Sequence, residues 1–260
     1  MTSALIGHTG FVGSTLLKQS CFDGLFRSTN INEICGRSFD LIACAGAPAQ
    51  KWIANRDPLG DRASIEGLIS RLARVRCVRF VLISTVDVFS DPVCVDEESE
   101  VNEEGLHAYG LHRRMLEKFV QEHFADHLIV RLPGLVGPGL RKNVIFDFLN
   151  HNNLDTIDSR GAFQFYPMVN LWYDLQIALN HHLKLLHLTA EPVSVQAVAE
   201  LGFGMSFDHP RGERAANYDM RTVHAELFGG RGQYQYTCRE SLQAIRAYAK
   251  SEKPTAGVRS

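Results

Sequence analysis

Tyr109 and Arg113 stand four residues apart in HAYGLHRRMLEKFVQEHF, whose apolar positions recur at helical spacing, so one helix face carries both a phenol and a guanidinium. A phenol exchanges a proton near neutral pH only if its pKa, ordinarily about 10, is brought down. A fixed cation favours the phenolate, so the spacing predicts that Arg113 holds Tyr109 in a more acidic state. Upstream, VLISTVDVF closes an apolar run with two hydroxyls, Ser84 and Thr85. These emerge at the carboxyl edge of a sheet, where ligands of open α/β folds bind.

A second chemical signal is LIGHTGFVGSTLL, with glycines at 7, 10 and 13. Between a strand and a helix, such glycines let backbone approach a pyrophosphate, while the helix start offers unpaired N–H groups and partial positive charge. Gly7, Thr9, Gly10, Phe11, Val12 and Gly13 are therefore candidate cofactor-binding residues for NADP or NAD. The alternative is a tight turn that serves only to pack the helix on the sheet. In LFRSTN, where an acid would suit the ribose hydroxyls of NAD, there is no carboxylate, and Arg27 can accommodate the extra phosphate of NADP. This leans toward NADP; the competing reading is that Arg27 faces solvent.

The elements that must position these groups alternate along the chain. ALIG, LFRSTN, FDLIACAGA, RFVLIST and HLIVRLPGL read as strands, with helical patterns in FVGSTLLKQS, SIEGLISRLARV and the tyrosine stretch. Apolar rather than alternating strands argue for a parallel sheet covered on both faces, the doubly wound α/β class. The acidic stretch CVDEESEVNEEG is a solvated connection. From about Gly137 the pattern loosens, and segments of about 138–165 and 192–250 are expected to form a small C-terminal substrate lobe on a single domain spanning 1–260. SEKPTAGVRS reads as a frayed tail.

Composition excludes several function classes. A formal charge of −2 over 260 residues removes the whole-protein argument for nucleic acid or anionic membrane. RLARVRCVR falls where a helix ends and a strand begins, so its cations complement the helix terminus. The six cysteines form no CxxC pair and read as reduced, mostly buried thiols. No apolar run reaches the length of a membrane span and no signal peptide opens the chain, so a cytoplasmic protein is expected. His123 and His127 have the spacing of two zinc ligands on a helix, but Phe124 stands where a metalloprotease needs glutamate, and no metal site is expected.

GHTGFVG, ISTVDVF, YGLHR and IVRLPGLVGPG, in this order between residues 5 and 139, resemble the extended short-chain dehydrogenase/reductase superfamily, in particular its nucleotide-sugar epimerase, dehydratase and reductase branch. The resemblance continues more weakly through FQFYPMVNL and TAEPVS. It implies a Rossmann-type fold and an NAD(P)-dependent oxidoreductase or epimerase acting on a carbonyl or hydroxyl of a nucleotide-sugar or similar polar metabolite. On it, Tyr109 exchanges the proton and Thr85, with Ser84 as its neighbour, hydrogen-bonds the reacting oxygen. Arg113 contacts the cofactor, Pro133 lines the nicotinamide pocket, and Asn143 and Arg221 meet substrate; for Arg221, pairing with a nearby carboxylate is an equal alternative.

The chain also departs from that pattern. The family keeps lysine where Arg113 stands, and an asparagine near Ser64 is missing. Arginine stays charged but is planar and relays no proton, which opens a second reading, a non-catalytic NAD(P)-binding sensor or structural protein. Lys142 and Lys51 are the candidates to replace the ammonium, and the sequence places neither. Val86 and Asp87 after Thr85 disfavour a dehydratase, and the resemblance makes a homodimer the expected assembly.

Overall fold

In the structure, a computed structural model that describes residues 2–255, the chain divides into two compact units. The first comprises Met1–Ser90, Glu98–Leu132 and Leu171–His187. Its elements begin with β1 (Ser3–Ile6), α1 (Phe11–Gln19), β2 (Gly24–Phe26), β3 (Ser38–Cys44), α2 (Lys51–Arg56), α3 (Pro58–Leu72) and β4 (Arg76–Thr85). After β5 (Val93–Val95) of the second unit come α4 (Ala108–His123) and β6 (His127–Leu132). The second unit then contributes β7 (Gly134–Val136), α5 (Val144–Asn150), β8 (Ala162–Phe163) and β9 (Phe165–Pro167). The chain completes the first unit with α6 (Leu171–Asn180) and β10 (Leu185–His187).

Six strands of the first unit form one sheet in the order β10-β6-β4-β3-β1-β2, every neighbouring pair parallel. Strand succession reverses between β1 and β3, which makes the carboxyl ends of those two strands the topological switch point of a doubly wound sheet. Ala4, Leu5 and Ile6 are all buried, as are the six residues Phe80–Thr85, so both sheet faces are covered. That is why these strands read as unbroken apolar runs. Ile65 and Leu72 of α3 join Leu116 and Val120 of α4 over Ile42, Phe80 and Ile129 in one core cluster. Each such side chain contributes about 1.5–3 kcal/mol of burial. Pro58 opens α3 and Asp57 caps it, accepting from the Gly60 amide at 3.0 Å.

The second unit comprises Asp91–Glu97, Pro133–Asn170 and Leu188–Ser260, and so takes in part of the acidic stretch as well as the later segments. It has three strand pairs, β7 with β9, β8 with β11 (Val193–Ser194) and β5 with β12 (Asp219–Met220). Two further helical stretches follow β9, α7 (Val195–Ala197), continued as a π-helix over Val198–Phe203, and α8 (Cys238–Ser251). A capping box of Thr237 and Glu240 starts α8. The buried amide of Gln164 joins three segments, accepting from Met220 N and donating to the carbonyls of Ala190 and Met220.

Several expectations are corrected. HLIVRLPGL is not one strand: Pro133 has no N–H to extend the ladder, so β6 stops at Leu132 and β7 pairs in a different sheet. The strand read in LFRSTN covers only Gly24–Phe26, leaving Arg27 just beyond it. His123 lies in the last turn of α4 and His127 opens β6, so they share no helix, and no cluster of three metal-ligating groups exists among the described residues. The six cysteines are free, but only Cys44 is buried; Cys21 and Cys94 are exposed. Desolvation pushes the Cys44 thiol up to about 11. Within the tail read as frayed, Ser251 is helical and the Thr255 amide donates to Asn150 Oδ1 at 2.7 Å, while 256–260 lie outside the described residues. No helix among the described residues is long and apolar enough to cross a membrane.

Candidate active site

At the switch point, β1 runs into Gly7, whose φ of +82° favours glycine and whose amide donates to the Phe26 carbonyl at 2.8 Å. A Cβ on Gly7 would lie 2.3 Å from the Ala45 carbonyl oxygen, and one on Gly13 would lie 2.1 Å from that of Gly7. Both glycines are thus required for the turn to pack. Gly10 differs: a Cβ there would meet nothing nearer than 3.5 Å. Its backbone is extended at φ −75° and it precedes α1, whose N-terminus no side chain caps. The amides of Phe11, Val12 and Gly13 open a helix toward an approach that packing leaves clear, which fits a pyrophosphate. Arg27 is exposed just past β2, with its Nε donating to Thr29 Oγ1 at 3.0 Å.

Thr85 is the last residue of β4 and caps the turn Val86–Val88, its Oγ1 accepting from the Asp87 amide at 3.2 Å. Its hydroxyl also faces the phenol of Tyr109 and favours the ionised form of that group. Tyr109 sits in the first turn of α4, where its amide donates to Asn55 Oδ1 at 3.0 Å. His107 caps this helix, Nδ1 accepting from the Gly110 amide at 3.0 Å. A Cβ on Gly110 would lie 2.0 Å from the Asp87 carbonyl oxygen, so glycine after the tyrosine lets α4 close onto the turn that carries Thr85.

Arg113 lies beneath this pair. Its guanidinium carbon is 4.0 Å from the centroid of the Tyr109 ring. Nη1 donates to Asp61 Oδ2 at 2.5 Å, Nη2 donates to the Pro48 carbonyl, and His112 Nδ1 shares the same carboxylate oxygen at 2.7 Å. Arg113 and Asp61 are 3% and 5% exposed, so this is a buried ion pair. The expected direction for Tyr109 is reversed: burial pushes its phenol above the ordinary value, and the opposing pull of Arg113 is the smaller effect. A second cation stands nearby, Lys51 Nζ, 2.7 Å from Asp87 Oδ1.

Ser84 is not in this group. Successive strand residues face opposite ways, and its hydroxyl donates to Glu117 Oε1 at 2.6 Å within a buried network. Glu117 also accepts from Arg131 Nε and Nη2 at 3.0 and 2.8 Å, and Arg131 Nη1 meets His187 Nε2 at 3.2 Å. The Ser84 side chain is therefore held in the interior by Glu117, apart from Thr85.

Pro133, Asn143 and Arg221 fall in the second unit. The Asn143 side chain is engaged in local structure, accepting from the Ile145 amide at 3.0 Å and donating to the Leu135 carbonyl at 2.9 Å. Arg221 pairs with a carboxylate, Asp219, at 2.7 Å, and Tyr234 holds the other oxygen of that group at 2.5 Å. Asp61 and Asn55 are residues that sequence reasoning missed, and Asp87 it used only against a dehydratase. Asp61 had a usable signal, since it occupies the helical stripe of Ile65, Leu68 and Leu72, where a carboxylate needs a buried partner.

No family model matches the chain, and no curated protein matches it. Solved structures do. RMD from Pseudomonas aeruginosa, solved with NADPH, is 17% identical with a TM-score of 0.73 over 96% of this chain and 99% of its own. The dTDP-4-dehydrorhamnose reductase of Clostridium acetobutylicum is 17% identical with a TM-score of 0.72 over the same shares. UDP-N-acetylglucosamine 4-epimerase from Methanobrevibacter ruminantium is 11% identical with a TM-score of 0.74 over 96% and 97%. At these identities the likeness is one of architecture, and the chain has the fold that these proteins share.

Proposed function

We propose that the chain is an NAD(P)-dependent oxidoreductase or epimerase acting on a carbonyl or hydroxyl of a nucleotide-sugar or similar polar metabolite. The observation that carries this reading is the placement of Thr85 at the end of β4 and Tyr109 in the first turn of α4, at the carboxyl edge of a sheet whose switch point holds an open glycine turn. The named activities of the proteins sharing its fold, a reductase and an epimerase, support the same class, as does the NADPH bound by RMD. Bound at the turn, the nicotinamide supplies hydride chemistry.

This chain's residues have separate tasks. The amides of Phe11 to Gly13 would hold the pyrophosphate, and Arg27, exposed just past β2, would take a 2′-phosphate and gives the lean to NADP. Tyr109 exchanges the proton at its phenolic oxygen while Thr85 hydrogen-bonds the reacting oxygen. Burial keeps the phenol protonated at neutral pH, which suits proton donation to a carbonyl being reduced. Arg113 supports the ring from below. The second unit carries the substrate lobe, with Pro133, Asn143 and Arg221 its assigned residues. A homodimer is part of the proposal, and so is a cytoplasmic location. The groove of about 420 Å³ on the α3 and α4 face combines the apolar Ile69, Leu111, Met115 and Phe119 with the charged Arg62, Glu103, Lys118 and Glu122.

Calorimetry with reduced and oxidised pyridine nucleotides, followed by turnover of a panel of nucleotide-keto-sugars, tests this. Uptake is expected, with NADPH tighter than NADH, and Tyr109→Phe is expected to lower kcat by about 10²–10⁴-fold. Folded protein that takes up neither nucleotide overturns the reading. Uptake with no turnover, unaltered by Tyr109→Phe, overturns its catalytic half.

A further inference from the structure

The functional reading leaves one chemical need open. A proton-exchanging tyrosine works with a cation that steadies its phenolate, and the residue four positions on, Arg113, is committed elsewhere. Its two terminal nitrogens are taken by Asp61 and by the Pro48 carbonyl, and it presents itself to the face of the Tyr109 ring rather than to the hydroxyl's hydrogen-bonding partners. It is also buried, so it has no freedom to follow a substrate or cofactor.

Lys51 is differently placed. It opens α2, and its Nζ lies 2.7 Å from Asp87 Oδ1. The other oxygen of that carboxylate, Oδ2, lies 3.4 Å from Thr85 Oγ1, and the Thr85 hydroxyl in turn faces the phenol. The ammonium is thus linked to Tyr109 through one carboxylate and one hydroxyl, all within the first unit. The Lys51 side chain is 38% exposed and its partner 17%, so the pair stands at the mouth of the site rather than beneath it.

From this geometry we infer that Lys51, held by Asp87, is the ammonium that serves Tyr109, taking the task that the chain's Arg113 gives up to structure. The inference rests on the reading of Tyr109 as the proton-exchanging residue. Lys51 acts through charge and through the Asp87–Thr85 link, and is a positioning residue. The charged groups facing the phenol have opposed effects: Lys51 and Arg113 favour its ionised form and Asp87 opposes it, while His107, whose ring is 6.3 Å from the Tyr109 ring, is kept neutral by burial and by Lys51.

Fluorine NMR of fluorotyrosine-labelled protein, in which the ring fluorine lowers the phenol's pKa, follows the Tyr109 titration with its resonance assigned by Tyr109→Phe and needs no substrate. Lys51→Met should raise the Tyr109 midpoint by about one unit, and Lys51→Arg should restore most of it. Asp87→Asn should move the midpoint the other way. An unmoved midpoint in Lys51→Met overturns the inference. So does a shift of the same sign in Lys51→Met and Asp87→Asn, which marks disturbed packing. Failure of wild-type protein to bind pyridine nucleotide would overturn the functional reading instead, and the titration would still decide the role of Lys51.

Discussion

Two cations act on Tyr109, and they are held in opposite ways. Arg113 is sealed between α3 and α4 with its charge answered by Asp61 and one fork occupied by a backbone carbonyl. Lys51 answers a carboxylate at the edge of the site with a third of its side chain in water. The buried guanidinium is accounted for by the fold, because a lone carboxylate at the position of Asp61 would be severely destabilising. The lysine is not: an exposed pair of this kind contributes about 0–1 kcal/mol. The glycine turn repeats the contrast, since packing demands Gly7 and Gly13 but leaves Gly10 unexplained. Residues that the fold does not need are where chemistry is to be sought.

The largest effect that could break this comparison lies in the buried pair. Asp61→Asn or Arg113→Met leaves one charge uncompensated and should cost about 3–5 kcal/mol, read from the denaturant midpoint. Arg113→Lys should also lose stability, because one ammonium cannot span Asp61 and the Pro48 carbonyl as the fork does. Lys51→Met should stay within ~1 kcal/mol of wild type. Equal losses at positions 51 and 113 would show that both cations are structural.

The glycines sharpen the same contrast at a smaller scale. Gly13→Ala drives a methyl into the Gly7 carbonyl and should cost about 1–3 kcal/mol, as overpacking does. Gly10 already has φ −75° and open space, so Gly10→Ala should leave the midpoint nearly unchanged. It should instead weaken pyridine-nucleotide binding by calorimetry, because the methyl stands where backbone must approach the phosphates. Unchanged affinity in Gly10→Ala would make the turn a packing device alone.

The sheet was legible because its strands are buried on both faces and carry no alternation, and the helices because their stripes are regular. Thr85 and Tyr109 were legible because a hydroxyl at a strand end and a tyrosine on the next helix are local signals. The state of the tyrosine was not. Its direction of shift depends first on how deeply Tyr109 is buried and also on Asp87, 22 positions upstream, neither of which spacing within one helix encodes. Ser84 is separated from Thr85 for a related reason: consecutive strand residues face opposite sides, and its hydroxyl meets Glu117. The break at Pro133 was available from the missing N–H, but a run as apolar as HLIVRLPGL hides it.

The smallest expected effect concerns the start of the tyrosine helix. His107 caps α4 only while Nδ1 is unprotonated, and burial, then the charge of Lys51, hold its pKa below the ordinary value of about 6.5. A lowered folded-state value means that the unfolded chain takes up the proton first. The contribution to stability is therefore complete above the ordinary value and is lost as pH falls through the lowered one. The chain has ten other histidines, so the measurement is the difference between wild type and His107→Asn, which keeps a capping oxygen and has no proton to gain. Urea midpoints followed from neutral pH into the acid range should fall less for His107→Asn than for wild type. Lys51→Met should narrow the gap, because removing that charge lets His107 titrate closer to its ordinary value, and a gap unaltered by Lys51→Met would place the lysine's influence outside this cluster.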